Sequence, residues 1–435
     1  MRIYLESTGC RLNQSEIETM GRQFERAGHE VVHSAEVADV CVVNTCAVTQ
    51  EATRTSRMLL RRLNRANPSA QIVATGCYAH LAPEIVGALP GVAQVVDNLS
   101  KDHLVPLILE QPGPIDPFER EPLQREFRPG ALGRTRAFVK VQDGCDNRCT
   151  FCVTTIARGP GRSRGMDEVI AEVNHLVAAG YQEVVLTGVH LGSYGHDRGQ
   201  REGLMRLVQA LLARTEVPRL RLSSLEPWDI SPAFFELWQD SRLCRHLHLP
   251  LQSGCDATLK RMARRTSQAA FGALVERARA AIPDLALSTD VIVGFPGETE
   301  AEFEISYQFV RAMDFMKVHV FRYSPRPGTI AARMPNQVSA EAKRERSARM
   351  LALSDEGGRR FRQQFVGRVL SVLWEQIAGA TDKGFQNVGL SDNYLRVVLE
   401  APEVLTNRIE SVHVTGVTEF GLMGERCVAV QPKEG

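Results

Sequence analysis

No stretch of about 18 consecutive apolar residues, the length a membrane helix needs, occurs in this 435-residue chain. The start, MRIYLESTGC, lacks a basic segment followed by an apolar core. Neither a spanning helix nor a secretory leader is expected, and the chain reads as cytoplasmic, with no membrane partner. An excess of one charge is missing too. With 52 basic against 51 acidic residues the formal net charge is +1, which excludes a globally cationic nucleic-acid binder and leaves only local basic surface. What is present in number is cysteine, ten in all. A reducing compartment does not maintain structural disulfides, so metal binding or redox chemistry is expected of them. The length exceeds one usual core and, at ~150 residues per domain, predicts about three domains.

Three cysteines, Cys145, Cys149 and Cys152, stand in VQDGCDNRCTFC with the spacing C-x3-C-x2-C. Here too something is lacking: a fourth ligand, which an ordinary iron–sulfur cluster or structural zinc site requires. A zinc site would have to recruit a downstream residue, and the nearest are His175 and His190. Three thiolates on a [4Fe–4S] cube instead leave one iron open, and an open iron can bind the amino and carboxylate groups of S-adenosylmethionine (AdoMet). CDNRCTFC resembles the radical AdoMet signature, with Phe151 at its aromatic position beside the adenine.

Residues 1–112 alternate apolar strand-like runs with amphipathic helices, a pattern that predicts a parallel sheet with helices on its faces. RIYLESTGC, DVCVVNTC and QIVATGC end at Cys10, Cys46 and Cys77, each just past the carboxyl end of a predicted strand. Ligands bind at that edge of open α/β sheets. The neighbouring Thr8, Gly9, Thr45, Thr75 and Gly76 are small enough for a cofactor to approach, which suits a second cluster with its own open iron. The alternative is that these are buried core thiols, a reading that fits Cys41 inside its apolar strand. A helix is expected from Asn13, with Glu16 three residues on as a capping-box partner, ending before Gly28.

Five prolines between Pro112 and Pro129 mark 113–135 as a linker. From 136 to 365 six strand–helix repeats (AFVKVQ, EVVLTG, RLRLSS, HLHLPL, LSTDVIVGF, MKVHVFRYS) predict a partial (βα)6 barrel whose carboxyl-end loops carry the chemistry. The triplet follows the first strand. Gly188, Ser224 and Gln252 follow later ones and are expected, with Phe151, to contact AdoMet. His246 and His248 alternate on one strand and read as a lumen pair rather than a metal pair. Cys244, Cys255 and Cys427 read as structural.

A basic helix follows the barrel, and from 366 to 435 strand-like runs VGRVLSVLWEQ, YLRVVLEA, SVHVTGVTEF and RCVAVQ predict a small antiparallel β-barrel. Such barrels often bind looped RNA, and Arg360, Arg362 and Arg368 are the candidate contacts.

Taken together, the paired triplets Cys10/Cys46/Cys77 and Cys145/Cys149/Cys152 and this three-part α/β architecture resemble the radical AdoMet methylthiotransferases, whose C-terminal domain is a TRAM domain. LTGVHLGSYG, SSLEP, HLPLQSG, DVIVGFPGET and FRYSPRPGTIAARMPNQV look like the branch acting on N6-threonylcarbamoyladenosine beside the tRNA anticodon. The resemblance implies two [4Fe–4S] clusters, AdoMet and an electron donor. It further implies that the triplet's cluster cleaves AdoMet to a radical that takes hydrogen from adenine C2, and that the N-terminal cluster delivers a methylated sulfur to that carbon. Related enzymes act on isopentenyladenosine in tRNA or on a ribosomal-protein aspartate, and a non-catalytic RNA-binding iron–sulfur protein is the reading from another class. One departure stands out: Val153-Thr154-Thr155-Ile156 lacks the proline that the family usually carries before its Arg-Gly, here Arg158-Gly159.

Overall fold

The computed structural model describes residues 1–9, 11–110, 135–382 and 384–427. Cys10 and nearly all of the expected linker lie outside the described residues, as does most of the expected last strand, RCVAVQ. Among the described residues no helix is long and apolar enough to cross a membrane.

β1 (Arg2–Ser7), β2 (Glu30–Val32), β3 (Val40–Thr45), β4 (Gln71–Gly76) and β5 (Val92–Val95) form one parallel sheet in the order β2-β1-β3-β4-β5. Alternation along β3 fills both faces. Val40 and Val42 pack with Ile17, Met20 and Phe24 of the helix Arg11–Arg26, whereas Cys41 and Val43 pack with Leu59, Leu60 and Leu63 of the helix Gln50–Ala66. Ser7 stands opposite Asn44, and Thr45 opposite Gly76, so three strands end level and bring Gly9, Cys46 and Cys77 to one edge.

The first helix begins at Arg11, two residues before the expected start. Asn13 therefore lies within the first turn, its amide donating to Thr8 O at 2.8 Å and Thr45 O at 3.3 Å. Glu16 is not a capping partner; it is a buried ion-pair centre. The sequence pattern was right about a helix and wrong about the job of its carboxylate.

The next strands are β6 (Arg136–Lys140), a short antiparallel pair β7 (Gln142–Asp143) and β8 (Arg162–Ser163), β9 (Glu183–Thr187), β10 (Arg219–Leu222), β11 (His246–His248), β12 (Ala286–Val293) and β13 (Lys317–Arg322). β6, β9 and β10 form one parallel sheet and β11, β12 and β13 another. Bridges Leu220↔Leu243 and Ser224↔His248 join them, giving the six-strand partial barrel with β6 and β13 as its open edges. Leu, Val, Ile and Phe from all six repeats fill one core.

The helix Ala340–Gln363 covers β13 and leads into β14 (Val369–Thr381), β15 (Gly384–Ser391), β16 (Arg396–Ala401), β17 (Ile409–Val417) and β18 (Leu422–Arg426). These close into a barrel in the order β14-β15-β16-β18-β17 around fully buried Trp374. Two expectations are corrected. β15, GFQNVGLS, was not anticipated, because glycine and asparagine mask its alternation. β18 starts at Leu422, and it pairs parallel with β16 in an otherwise antiparallel barrel.

Candidate active site

The triplet occupies the loop between β7 and the helix Thr154–Arg158, at the carboxyl end of the first barrel strand. The turn needs glycine: Gly144 has φ +72°, and a Cβ there would lie 1.9 Å from Pro160 O. Each sulfur has a polar neighbour. Arg264 Nη1 donates to Cys149 Sγ at 3.6 Å and Thr154 N to Cys152 Sγ at 3.4 Å, while His190 hydrogen-bonds Cys145. Arg264 is fixed by a bidentate pair with Glu226 (3.1 and 2.6 Å), by Pro250 O at 2.6 Å and by the Trp228 ring at 4.5 Å. His190 Nε2 lies 2.5 Å from Asp229 Oδ2. Burial opposes its charge, but Asp229 and Cys145 outweigh that and raise the imidazole to about 10, so it is a cation at neutral pH. Burial pushes the Cys149 thiol up to about 11 against the pull of Arg264, and it also raises Cys152.

Such a donor set fits a cluster. Three soft sulfurs in one loop, each met by an N–H, provide thiolate ligands and the hydrogen bonds that tune iron–sulfur centres, and iron supplies the deprotonation that burial resists. Among the described residues no three His, Cys, Asp or Glu side chains gather around a single-ion site.

At the sheet edge, Cys46 and Cys77 are 3% and 5% exposed and so almost closed off from bulk water. Their turns are forced by glycine. Gly9 and Gly76 both have φ +92°; a Cβ on Gly9 would lie 2.5 Å from Cys46 Sγ, and one on Gly76 2.3 Å from Thr45 O. Cys46 N donates to Thr8 Oγ1 at 3.0 Å and Ser56 Oγ at 3.1 Å; Asn98 Nδ2 reaches Cys77 Sγ at 3.8 Å and Ala157 O at 2.7 Å. The pair therefore sits in a preformed cradle that fits ligands of a second cluster; Cys10, the third expected donor, lies outside the described residues.

A buried ionic knot ties the two cysteine regions together. Arg158, six residues past Cys152, donates to Glu16 Oε1 at 2.9 Å, Asp143 Oδ1 at 2.9 Å and Asn13 Oδ1 at 2.9 Å. Lys101 Nζ meets Glu16 Oε2 at 2.7 Å, and Lys140 lies 3.1 Å from Asp102. Burial alone would raise the Glu16 carboxyl, but Arg158, Lys101 and Lys140 prevail and hold it well below the usual range; Asp143 is lowered in the same way. Sequence reading missed this knot, although Arg158-Gly159 and Glu16 were both in view.

One cavity of ≈670 Å³ lies between the sheet edge and the helix that follows the triplet. Its rim carries Gly9, Cys46 and Cys77 from the sheet edge with Thr154 and Arg158 from the helix after the triplet, while Cys145, Cys149 and Cys152 are not among its lining; its wall carries Gly188, Ser223 and Ser224, and it continues into the barrel past His246 and His248. Gly188 and Ser224, the expected AdoMet contacts, both line this cavity. Phe151 packs edge-on against Phe295 at 6.4 Å, and Gln252, at φ +72°, is bonded to β12 through its backbone. Neither lines this cavity. His246 and His248 share the Ser288 hydroxyl, at 3.1 and 2.9 Å. Cys244 and Cys255 are buried, whereas Cys427 is exposed and has no core role.

The expected RNA contacts lie apart from this cavity. Arg360 pairs with Asp314 at 2.6 Å and Glu356 at 2.5 Å, and Arg368 grips Asp284 at 3.0 and 2.6 Å; burial lowers Arg362. Much of the basic helix is likewise occupied, with Arg346 buried against Glu298 at 2.8 Å.

A family model described as the Radical SAM superfamily matches residues 139–310, and one described as an uncharacterized protein family, UPF0004, matches residues 2–97. The threonylcarbamoyladenosine tRNA methylthiotransferase MtaB of Bacillus subtilis is 39% identical over 421 residues, covering 95% of this chain and 93% of that protein. Its namesake from Thermotoga maritima is 35% identical, covering 99% and 98%. The tRNA-2-methylthio-N(6)-dimethylallyladenosine synthase of Frankia casuarinae is 37% identical, covering 86% of this chain and 71% of that one. The identities are close, so coverage separates the two branches better than identity does. Among solved structures, the radical AdoMet methyltransferase TsrM of Kitasatospora setae superposes with a TM-score of 0.58 at 16% identity, covering 76% and 77% of the two chains, a likeness of fold alone.

Proposed function

This chain belongs to the radical AdoMet methylthiotransferase family, and we propose that it converts N6-threonylcarbamoyladenosine at position 37, on the 3′ side of a tRNA anticodon, to the 2-methylthio derivative. It is an enzyme whose cofactors are two [4Fe–4S] clusters and AdoMet, and whose substrate class is tRNA. The observation that carries the proposal is the cavity lined by Cys46 and Cys77 and by Thr154 and Arg158 of the helix that directly follows the triplet, in a chain aligned along nearly its whole length with enzymes of that name. When bound, the clusters and AdoMet supply hydrogen abstraction at adenine C2 and the sulfur and methyl group to be transferred.

The chain's own groups then have separate tasks. Cys145, Cys149 and Cys152 hold the AdoMet-binding cluster, and Cys10, Cys46 and Cys77 the auxiliary one. Arg264 and the imidazolium of His190 offset the negative charge of the triplet's thiolates. Gly188 and Ser224, at the wall, are the AdoMet contacts this reading retains; Phe151 and Gln252 stand outside the cavity. The Glu16–Arg158 knot fixes the distance between the two sulfur sets, and the burial of Cys46 and Cys77 limits the access of water to them. The same reading divides the chain into 1–112, a linker 113–135, 136–365 and a TRAM domain 366–435, places the enzyme in the cytoplasm with an electron donor, and has the anticodon stem-loop approach the open side of the barrel. Arg362 is the candidate RNA contact least engaged by carboxylates.

Expression of this chain in a bacterial host lacking the modification tests the reaction. Digested tRNA should gain 2-methylthio-N6-threonylcarbamoyladenosine at the expense of its precursor. Gain of the 2-methylthio isopentenyl nucleoside instead would move the chain to the other tRNA branch, and unchanged nucleosides would favour a protein substrate or a binding role.

A further inference from the structure

The lower lumen is polar in a way that chemistry at C2 does not require. His248 Nε2 lies 3.2 Å from Asp290 Oδ1, and the His248 and His319 rings are 5.5 Å apart. Lys317 and His319, two residues apart on edge strand β13, share a face and line the same cavity. The Lys317 ammonium stands 3.7 Å from Asp355, with both side chains substantially exposed, a contact that a ligand can replace. Across the lumen Ser223 is 6% exposed, and its hydroxyl has no hydrogen-bond partner among the described residues. A buried hydroxyl of this kind costs free energy until a ligand meets it. The floor is the Tyr394 ring, delivered by the turn between β15 and β16 at φ +66° and stacked on His246 at 4.3 Å.

We propose that this lower lumen is the subsite for the N6 arm of the substrate base, with the arm's carboxylate on Lys317 and His319 and its N–H and hydroxyl groups on Asp290 and Ser223. The inference rests on the reaction proposed above and assigns its specificity. With C2 turned to the cysteine-bearing rim, the substituent on C6 is directed away from the rim and into the barrel. A ureido-linked amino acid supplies a carboxylate, donors and a hydroxyl, which match the groups waiting there. An isopentenyl arm supplies none of them: it would leave the Ser223 hydroxyl buried without a partner and set an apolar chain against the Lys317–Asp355 and His248–Asp290 pairs, so the lumen selects against it.

The test is affinity, read without turnover. The full-length reconstituted chain, without reductant, is titrated with three anticodon stem-loops bearing threonylcarbamoyladenosine, unmodified adenosine or isopentenyladenosine at one position. The wild-type chain should bind the first most tightly. Lys317→Met and His319→Phe should each weaken that RNA roughly tenfold or more while changing the unmodified RNA less than about twofold, and Lys317→Arg should restore most of the loss. Equal wild-type affinity for the three RNAs, or equal weakening of all three by the variants, overturns the subsite. If the wild-type chain still methylthiolates the threonylcarbamoyl RNA in that case, the reaction stands and only the subsite falls; if only the isopentenyl RNA is converted, the reaction itself falls.

Discussion

Glu16 is the carboxylate that ties the N-terminal sheet to the triplet region. It is buried and answers two cations directly at 2.9 and 2.7 Å. Breaking a buried ion pair by removing one partner costs about 3–5 kcal/mol. Glu16→Gln should therefore destabilise the chain by roughly that amount, read as a lower denaturation midpoint. In the reconstituted enzyme it should raise the ratio of AdoMet cleaved to product formed. The pH dependence has a definite sign. The carboxyls of Glu16 and Asp143 are depressed in the folded chain, so their stabilisation is fully present above the ordinary carboxylate range near pH 4 and is lost as pH falls through their depressed values. Thermal midpoints of wild type should fall on acidification below that range, and those of Glu16→Gln should fall less. Gly76→Ala tests the cradle: with φ +92° and a Cβ 2.3 Å from Thr45 O, the turn must move and displace Cys77. Iron in the reconstituted variant should drop from about eight to about four atoms per chain.

Among elements, the triplet loop was the most legible in sequence, because cluster ligation demands a fixed spacing within one loop. The three sheet-edge turns were legible too, since strands of one parallel sheet end together. Cys149→Ala should abolish AdoMet cleavage and leave the iron of the N-terminal set in place; loss of all iron would argue against two independent centres. What sequence could not reveal were partners brought in from far along the chain. Arg264 and Asp229 come from other barrel repeats, and Glu16 was misread as a cap because a local motif says nothing of the Arg158 that arrives 142 residues later. β15 was lost for another reason: Gly384, Asn387 and Gly389 pack against neighbouring backbone rather than contribute an apolar face.

For the whole molecule, the partial barrel is closed by its neighbours: the sheet edge at the mouth and the C-terminal barrel at the foot. The second closure is electrostatic as well as steric. Arg219 and Arg221, next to buried Glu183, donate to carbonyls of Leu390, Ser391 and Asp392, and Arg245 grips the Asp392 carboxylate at 2.6 and 3.1 Å. Asp392→Ala should cost only about 1 kcal/mol, because Arg245 is partly exposed and keeps Asp284 at 3.0 Å, and a small fall in thermal midpoint checks this. Three-part architecture was readable from strand periodicity and a proline-rich break; the foot of the barrel was not, because it depends on a turn tyrosine from the far end of the chain.

The central claim is that the two cysteine sets serve one base, bound in the cavity that Cys46 and Cys77 line. Its most direct measurement is nucleoside mass spectrometry after the reconstituted full-length chain, AdoMet and dithionite are incubated with an anticodon stem-loop carrying threonylcarbamoyladenosine, run beside Cys77→Ala. Wild type should add one methylthio group to that nucleoside, and Cys77→Ala should still cleave AdoMet but add none. A methylthio product from Cys77→Ala, or none from wild type with AdoMet cleavage intact, would contradict the account.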